Sequence, residues 1–192
     1  AIGVVIDGLP AGELIDMDEL SAFLARRAPG QSSLTTARRE IDLPKFLSGI
    51  LNGRTCGAPL SAIIENNDTR SSDYSKLQDI PRPAHADFPA SVKYNRYNDV
   101  RGGGHFSARL TAPMCIAGGI LKQMLKCRGV SIGAHIFSIA DVCDTPFDPV
   151  TVSENDFLNT ASKPLAVLND DAGSAMSSAI LSAAHDGDSV GG

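Results

Sequence analysis

Three long polar segments divide this chain and constrain what it can fold into. Residues 26–42, 66–88 and 93–111 lack clean apolar periodicity, and each is longer than the ~12–15 residues at which a structureless loop in a compact domain becomes unusual. They are dense in Arg, His, Ser, Asn, Asp and Gly, and aromatic side chains punctuate the last two. That composition is not typical of disorder. We therefore expect ordered loops that recognise a polar ligand.

Short apolar elements separate these segments. They predict a strand at 2–6, a helix at 17–26, strands at 46–51 and 60–65, a helix at 112–126, a strand at 130–140 and a helix at 171–184. The linker between the two central strands is rich in turn-forming residues, so these strands are predicted to form a hairpin. No internal repeat accompanies them.

Capping signals mark the predicted helix ends. Asp16 and Glu19 have the spacing of a capping box, and the Pro-Gly pair at 29–30 is expected to end that helix. The last helix is expected to be capped by the Asp at 170 or 171 and to end at Gly187.

Two adjacent glycines lie in the middle of the helix predicted at 112–126. Gly118 and Gly119 each weaken its intrinsic propensity by ~1 kcal/mol. Their small size would instead allow another helix to pack closely.

Composition excludes several classes of protein. Apolar residues make up 43% and charged residues 20% of the 192 residues, as in soluble globular chains. No apolar run approaches the ~20 residues that cross a bilayer, so no membrane span is expected. The first residues lack the features of a secretory precursor, and we expect a chain whose front end has been removed.

The four cysteines have no CxxC spacing, which favours reduced thiols in a cytoplasmic protein over a zinc knuckle.

Charge is unevenly distributed along the chain. The net charge is -5, yet residues 26–54 carry six basic and two acidic side chains, whereas residues 129–192 carry one basic and nine acidic ones. A nucleic-acid duplex requires a broad basic face. The pattern therefore favours a small anionic ligand over nucleic acid, with solvated surface arginines as the alternative.

A glycine-rich loop, residues 101–109, precedes the helix predicted at 112–126. Its three consecutive glycines expose backbone N–H groups next to a helix N-terminus, and His105, Ser107 and Arg109 add side-chain donors. The loop resembles a phosphate or flavin cradle but matches neither the P-loop nor the dinucleotide fingerprint. Anion binding and a plain glycine-rich turn both remain open.

A second candidate segment, residues 82–87, lies between stiffening prolines. Arg82 and His85 in such a loop can clamp an anion and move a proton near neutral pH, although a lone His is more often an ordinary surface residue. The four histidines show neither a catalytic-triad order nor metal-ligand spacing, so no metal site is predicted. His135 lies in an apolar segment and is expected to be a core or interface residue.

Four arginines form two pairs around a Pro-Gly turn, at 26–27 and 38–39. Guanidinium groups recognise carboxylate and phosphate bidentately. The alternative is that Glu40, Asp42 and Asp68 neutralise these arginines in a structural network.

Taken in order, these segments resemble the chorismate synthase family across nearly the whole chain. The motifs are Asp7-Gly-Leu-Pro-Ala-Gly12, residues 26–32 with 35–42, Ser48-Gly49 with 53–59, residues 67–74 and 82–87, Lys93-Tyr94 with Asp99, and the loop 101–109. The family's opening Gly-Glu-Ser-His-Gly motif, which carries one catalytic histidine, and its C-terminal portion, which carries a catalytic Asp, are absent. We expect residues 1–192 to be a single partial domain, the N-terminal half of the family fold.

Five positions depart from the family pattern. Ala84 and Asn95 replace usual glycines, and Asn is the next best residue where φ is positive. Ser33 stands where many members carry a substrate-binding Arg, and His105-Phe106 replaces an Arg-Ser of another branch.

The resemblance implies an α+β fold with helices sandwiched between antiparallel β-sheets, incomplete here. It implies a lyase of the shikimate pathway and aromatic amino acid biosynthesis that eliminates phosphate from 5-enolpyruvylshikimate 3-phosphate with reduced FMN to give chorismate. His85 would be the surviving catalytic histidine, and Arg27, Arg82 and Arg109 would bind substrate anions. His105, Phe106 and Ser107 would contact FMN.

The resemblance also implies a cytoplasmic homotetramer, and it leaves open whether NADPH reduces the flavin. The shortened chain is expected to be inactive by itself. The alternatives are a non-catalytic fragment that binds an anion or flavin, and a self-associating structural core.

Overall fold

The computed structural model describes residues 1–28, 30, 34, 42–65, 79–83, 85–100 and 105–192. It comprises two compact units, the first formed by residues 1–28 and 39–123 and the second by residues 29–38 and 124–192. Several sequence-based predictions lie outside the described residues. They concern Pro29, Ser33, Arg38, Arg39, Glu40, the segment 67–74 with Asp68, Ala84, and the glycines of 101–104.

A three-stranded antiparallel sheet organises the first unit. Its strands are β1 (Ile2–Ile6), β2 (Lys45–Ser48) and β5 (Leu60–Ile64), in the order β1-β5-β2. Ile6 pairs with Leu60 and Phe46 pairs with Ala62. Alternate residues of β5 are buried, namely Leu60, Ala62 and Ile64. This alternation identifies the face of the sheet that covers the core.

The predicted strand 46–51 is split at Gly49. Its φ of +84° lies in the left-handed region, and a Cβ there would collide with the backbone of Leu60. Beyond it, β3 (Ile50–Leu51) and β4 (Arg54–Thr55) form a tight hairpin of their own. Asn52 and Gly53 both have positive φ in its two-residue loop, as a type I′ turn requires. The predicted antiparallel pairing of the two central strands is confirmed, with this small hairpin inserted between them.

Helices α1 (Met17–Ala25) and α3 (Thr111–Lys126) confirm two sequence predictions. The Asp16 carboxylate accepts hydrogen bonds from the N–H groups of Asp18 and Glu19, which is the predicted N-terminal cap. The Gln123 amide joins α3 to the start of α1. It accepts from the Asp16 N–H and donates to the Asp16 carbonyl, each at 2.9 Å.

The two glycines of α3 have different surroundings. A Cβ on Gly119 would lie 2.6 Å from Leu20 Cδ1 and 3.0 Å from Phe23 Cδ1, whereas a Cβ on Gly118 would meet nothing within 4 Å. The predicted close helix packing is therefore confirmed at Gly119 and is wrong at Gly118.

A short helix, α2 (Asp87–Lys93), lies among residues for which no element was predicted. Asn95 follows it with a φ of 50°. Asn95 replaces a glycine that is usual in the family, which predicted a left-handed backbone at this position. The observed φ confirms that prediction. Within the described residues, no helix is both long enough and apolar enough to cross a membrane.

The second unit contains α4 (Glu154–Ser162), α5 (Asp170–His185) and a two-stranded hairpin of β6 (Ser138–Ile139) and β7 (Val142–Cys143). Sequence analysis missed α4, although Ser153 and Asp156 form a capping box at its start.

The ends of α5 agree only in part with the prediction. Its cap is Asn169, whose side-chain oxygen accepts from two N–H groups of the first turn, so the expected Asp cap was wrong by one residue. Gly187 ends the helix as expected. With a φ of +72° it donates to Ala184, and Asp188 donates to Ala183, which is the Schellman pattern.

The predicted strand 130–140 is wrong except at Ser138–Ile139. The backbone N–H of Ile136 donates to Ala166 in the loop before α5, and that of Val130 donates to Leu125 near the end of α3, so these groups bond to a loop and a helix end and not to a neighbouring strand. Gly133 packs so closely against Phe157 that a Cβ would overlap the ring. Tertiary packing has overridden the β-propensity of the segment.

His135 is a core residue, as expected, and it contacts a buried carboxylate. Its side chain is 12% exposed, and its Nδ1 lies 3.1 Å from Asp144 Oδ2. Asp144 also accepts from the N–H groups of Leu168 and Asn169 just before α5. Burial by itself would raise the pKa of Asp144, but these hydrogen bonds outweigh burial and hold the pKa below its ordinary value.

We predict opposite effects for alanine at the two glycines of α3. Gly118→Ala should raise the free energy of unfolding by about 0.5–1 kcal/mol, because Ala is the better helix former and has space there. Gly119→Ala gains the same propensity but overpacks buried Leu20. It should be less stable than Gly118→Ala by about 1–3 kcal/mol in urea unfolding. Equal stability of the two variants would contradict the packing described here.

We predict that Asp144→Asn lowers the free energy of unfolding by about 1–3 kcal/mol at neutral pH, because an amide cannot accept all of these hydrogen bonds. The folded pKa is depressed, so the stabilisation is complete above the ordinary value of 3.8 and is lost as pH falls through the folded value. Urea unfolding at several acidic pH values should show a weaker pH dependence for the variant. An unchanged pH dependence would show that Asp144 is not the responsible group.

Candidate functional site

Two of the predicted substrate-binding arginines meet at one buried carboxylate. Arg27 Nη1 donates to Asp42 Oδ2 at 2.6 Å, and Arg109 Nη2 lies 3.0 Å from Asp42 Oδ1. The Asp42 side chain is 1% exposed, while the arginine side chains are 25% and 20% exposed. We call these three residues the Asp42 cluster.

Two helix ends position the arginines of the Asp42 cluster. Arg27 follows the last turn of α1, where its backbone N–H donates to Leu24. Arg109 lies in a 3₁₀ turn, Ala108–Leu110, immediately before α3. Arg27 Nη2 also donates to the hydroxyl of Thr111, the first residue of α3, at 3.3 Å. The start of α3 is therefore tied to the end of α1.

The Asp42 cluster brings two guanidinium groups to one carboxylate. Asp42 pairs with Arg27, as the structural alternative expected for that acid, and it also pairs with Arg109. Both arginines remain partly accessible to solvent. Guanidinium groups pre-ordered in this way suit a phosphate or carboxylate ligand.

A second carboxylate, Asp87, holds Arg82 and His85 together. Arg82 Nε donates to Asp87 Oδ2 at 2.8 Å and Nη2 donates to Oδ1 at 2.9 Å, which is a bidentate pair. His85 Nδ1 lies 2.7 Å from Oδ1 of the same group. Side-chain exposure is 33% for Arg82, 27% for His85 and 5% for Asp87. We call these residues the Asp87 cluster.

Asp87 is ionised at neutral pH. The side-chain hydrogen bond from Arg82 is the main cause that holds the pKa of Asp87 far below its ordinary range, and it outweighs the opposing effect of burial. The backbone N–H of Arg82 contributes a further hydrogen bond at 3.0 Å. The carboxylate lies in the first turn of α2, where negative charge is favoured.

The three residues expected to contact flavin lie consecutively before α3. His105 stacks at a tilt against Tyr94, with ring centroids 5.9 Å apart, and Phe106 meets His105 edge-on at 6.4 Å. Phe106 is 44% exposed and thus offers an apolar face to a ligand. Ser107 caps the 3₁₀ turn, because its hydroxyl accepts from the N–H of Arg109 at 3.2 Å.

The sequence-predicted residues thus fall into three groups. Arg27 and Arg109 share Asp42, and Arg82 and His85 share Asp87. His105 and Phe106 form an aromatic pair beside Tyr94, at the end of the helix that Asp87 begins.

Sequence reasoning missed the organising role of both carboxylates. The sequence pattern indicated Asp42 only as a possible neutralising partner of the arginine pairs, and Asp87 only as the last residue of the motif at 82–87. The signal at Asp87 was its spacing, two residues after His85 in a proline-stiffened loop. No comparable local signal exists for Asp42, because its partners lie 15 and 67 positions away in the chain.

Comparison with known proteins agrees with the motifs. The family model described as chorismate synthase matches residues 1–192. Chorismate synthase from Lancefieldella parvula is 51% identical over 147 residues, which is 76% of this chain and 38% of that protein. The Porphyromonas gingivalis protein of the same name is 41% identical over all 192 residues and 51% of its own length.

A crystal structure of chorismate synthase has the same fold. The TM-score is 0.67 at 22% sequence identity, and the match covers 99% of this chain and 51% of that one. This confirms the predicted α+β class with helices and antiparallel sheets. The chain spans about half the length of the curated relatives that it matches over its full extent.

We predict that Asp42→Asn lowers the free energy of unfolding by about 1–3 kcal/mol, because two guanidinium groups then lose their shared counter-charge in a desolvated place. Glu65→Gln is the matched control. Glu65 pairs with Lys45 at 3.5 Å, but both side chains are more than half exposed, so its loss should cost less than about 1 kcal/mol. Urea unfolding compares the two, and equal effects would show that burial does not distinguish these pairs.

Proposed function

This chain belongs to the chorismate synthase family, and we propose that it takes part in the 1,4-anti elimination of phosphate from 5-enolpyruvylshikimate 3-phosphate, which gives chorismate. The carrying observation is the Asp42 cluster, in which two partly accessible arginines share one buried carboxylate. The proposed substrate has two carboxylates and a phosphate. Departure of the phosphate requires positive groups already fixed near it.

Arg27 and Arg109 are the residues that we assign to substrate anions. Their guanidinium groups are ordered before any ligand arrives, so binding would lose less conformational entropy. Arg82 is assigned a similar role, but its Nε and Nη2 already bond to Asp87. Its contribution to anion binding is therefore expected to be smaller than that of Arg27.

His85 is the residue that we assign to proton transfer. It is partly accessible, and an ionised carboxylate holds one of its ring nitrogens. A positioned histidine of this kind can hold or transfer a proton near neutral pH. In the proposed reaction it would keep the reduced flavin in its required protonation state.

His105, Phe106 and Ser107 fit the proposed contact with reduced FMN. The two rings lie edge to face, and both residues are exposed to solvent, so they offer apolar surface to a planar ring. When bound, reduced FMN would supply electron density for an elimination that involves no net redox change. The residues of this chain would bind and orient it.

Further properties follow from family membership as parts of the same proposal. We propose a lyase of the shikimate pathway, in aromatic amino acid biosynthesis, that is cytoplasmic and homotetrameric. We also propose that residues 1–192 form one part of the larger family fold, because the chain spans about half the length of its relatives.

A second candidate is binding of an anion or flavin without catalysis. It is favoured by one observation, namely that the Asp42 cluster, with its two partly accessible arginines, lies within a chain that spans about half the length of its relatives. Self-association without ligand binding is the remaining alternative.

We predict that His85→Ala lowers the rate of chorismate formation by the full-length enzyme about 10²–10⁴-fold with reduced FMN present, because a positioned acid–base group is lost. His185→Ala is the control. His185 is 90% exposed at the end of α5, and its loss should leave the rate unchanged. Unchanged turnover in His85→Ala would remove His85 from the proposed mechanism.

Calorimetric titration of the 192-residue chain with FMN separates the candidates. Heat and flavin quenching without turnover would favour the binding candidate. Neither signal, together with oligomers in light scattering, would favour the self-associating core.

A further inference from the structure

Asp87 contacts two side chains, because it accepts three hydrogen bonds from Arg82 and also lies close to His85. Its Oδ2 accepts from Arg82 Nε at 2.8 Å and from the backbone N–H of Arg82 at 3.0 Å. Its Oδ1 accepts from Arg82 Nη2 at 2.9 Å and lies 2.7 Å from His85 Nδ1. Oδ1 therefore lies beside both Arg82 and His85.

The contact with Asp87 bears on which nitrogen of the His85 ring carries a proton. A lone pair on His85 Nδ1 would face a negatively charged oxygen at 2.7 Å, which is electrostatically unfavourable, so the contact favours a proton on Nδ1. In the neutral imidazole only one nitrogen is protonated. Nε2 is then the nitrogen that keeps a lone pair and can accept a proton from a ligand.

Arg82 restrains the same ring from another direction. Its Nη2 lies 3.2 Å from His85 Nδ1 and 3.4 Å from Nε2. An atom almost equidistant from both nitrogens cannot lie in the ring plane, because it would collide with the carbon between them. The guanidinium nitrogen therefore lies over the face of the imidazole and limits its rotation without occupying the Nε2 lone pair.

The backbone on either side of Arg82 and Asp87 restrains this arrangement. Pro81 and Pro83 flank Arg82 and fix φ on either side of it. Asp87 is the first residue of α2, so its position is tied to a helix and not to a mobile loop. The side chain of Asp87 is also 5% exposed, which leaves it little freedom to move.

We propose that Asp87 is a positioning residue that holds His85 in the Nδ1–H tautomer, so that Nε2 is the atom that accepts or donates the catalytic proton. The proposal rests on the role of His85 proposed above and adds the atom and the residue that selects it. Arg82 supports this positioning because it orients Asp87 and covers one face of the His85 ring.

Asp87→Asn tests the proposal sharply, because an amide has one oxygen and one NH₂ group. The Oδ2 position faces two Arg82 donors that cannot become acceptors. The amide oxygen should therefore take that position, and the NH₂ group should take the position beside His85. Among these partners only the imidazole can exchange donor for acceptor, so the ring should change to the Nε2–H tautomer.

Long-range ¹H–¹⁵N NMR correlations of the 192-residue chain, recorded where the imidazole is neutral, report the tautomer of each histidine. We expect His85 to be protonated at Nδ1 in the wild type and at Nε2 in Asp87→Asn. Asp186→Asn is the matched control, because Asp186 lies 3.3 Å from His185 but both side chains are exposed. It should leave the His85 signals unchanged.

The wild-type spectrum is decisive by itself, so the proposal does not depend on the folding of a variant. A neutral His85 protonated at Nε2 in the wild type would overturn it. So would an Asp87→Asn chain with an unchanged circular dichroism spectrum in which His85 kept its proton on Nδ1.

Turnover of the full-length enzyme with reduced FMN tests the catalytic consequence. Asp87→Asn should lower the rate about 10²–10⁴-fold, as His85→Ala does, because Nε2 no longer has its lone pair. A changed tautomer with an unchanged rate would overturn the positioning role. An unaffected His85→Ala variant would instead refute the proposed function of His85, whatever tautomer the ring adopts, so the two failures are distinguishable.

Discussion

Two buried carboxylates that must be neutralised hold together the described polar residues at the starts of α2 and α3 in the first unit. Asp42 and Asp87 are almost inaccessible to solvent, with side-chain exposures of 1% and 5%. A charge removed from water is tolerated only when it is paired and hydrogen-bonded. Each carboxylate therefore draws guanidinium groups to it, and the residues that precede α2 and α3 take their positions from these pairs.

In the function proposed here, the same pairs prepare the site for an anion. A surface arginine must give up rotamer freedom and part of its hydration when a ligand binds. Arg27 and Arg109 are already ordered by Asp42, and Arg82 by Asp87. Positive groups fixed in advance stabilise negative charge more effectively than mobile ones, because nothing has to reorganise during the reaction.

The second unit uses a buried carboxylate differently. Asp144 is held by the backbone N–H groups of Leu168 and Asn169 and by His135, with aromatic rings packed around the imidazole. These donors fix the segment before α5. The histidine of this group is a core residue, whereas His85 is partly accessible beside an arginine. Similar His–Asp pairs therefore have a structural role in one unit and a proposed chemical role in the other.

Local sequence determined the elements whose signals lie within one turn or one strand. The cap at Asp16, the strand at 2–6, the stop at Gly187 and the left-handed Asn95 all follow from the preferences of neighbouring residues. The ordered motifs likewise identified the family and the arginines and histidines of the candidate site. Only the tertiary structure decided that residues 130–137 form no strand, because the backbone N–H of Ile136 donates to Ala166, which lies 30 positions further along the chain. It also decided which acid pairs with which arginine, because Asp42 joins residues far apart in the chain, and periodicity and spacing carry no information about such contacts.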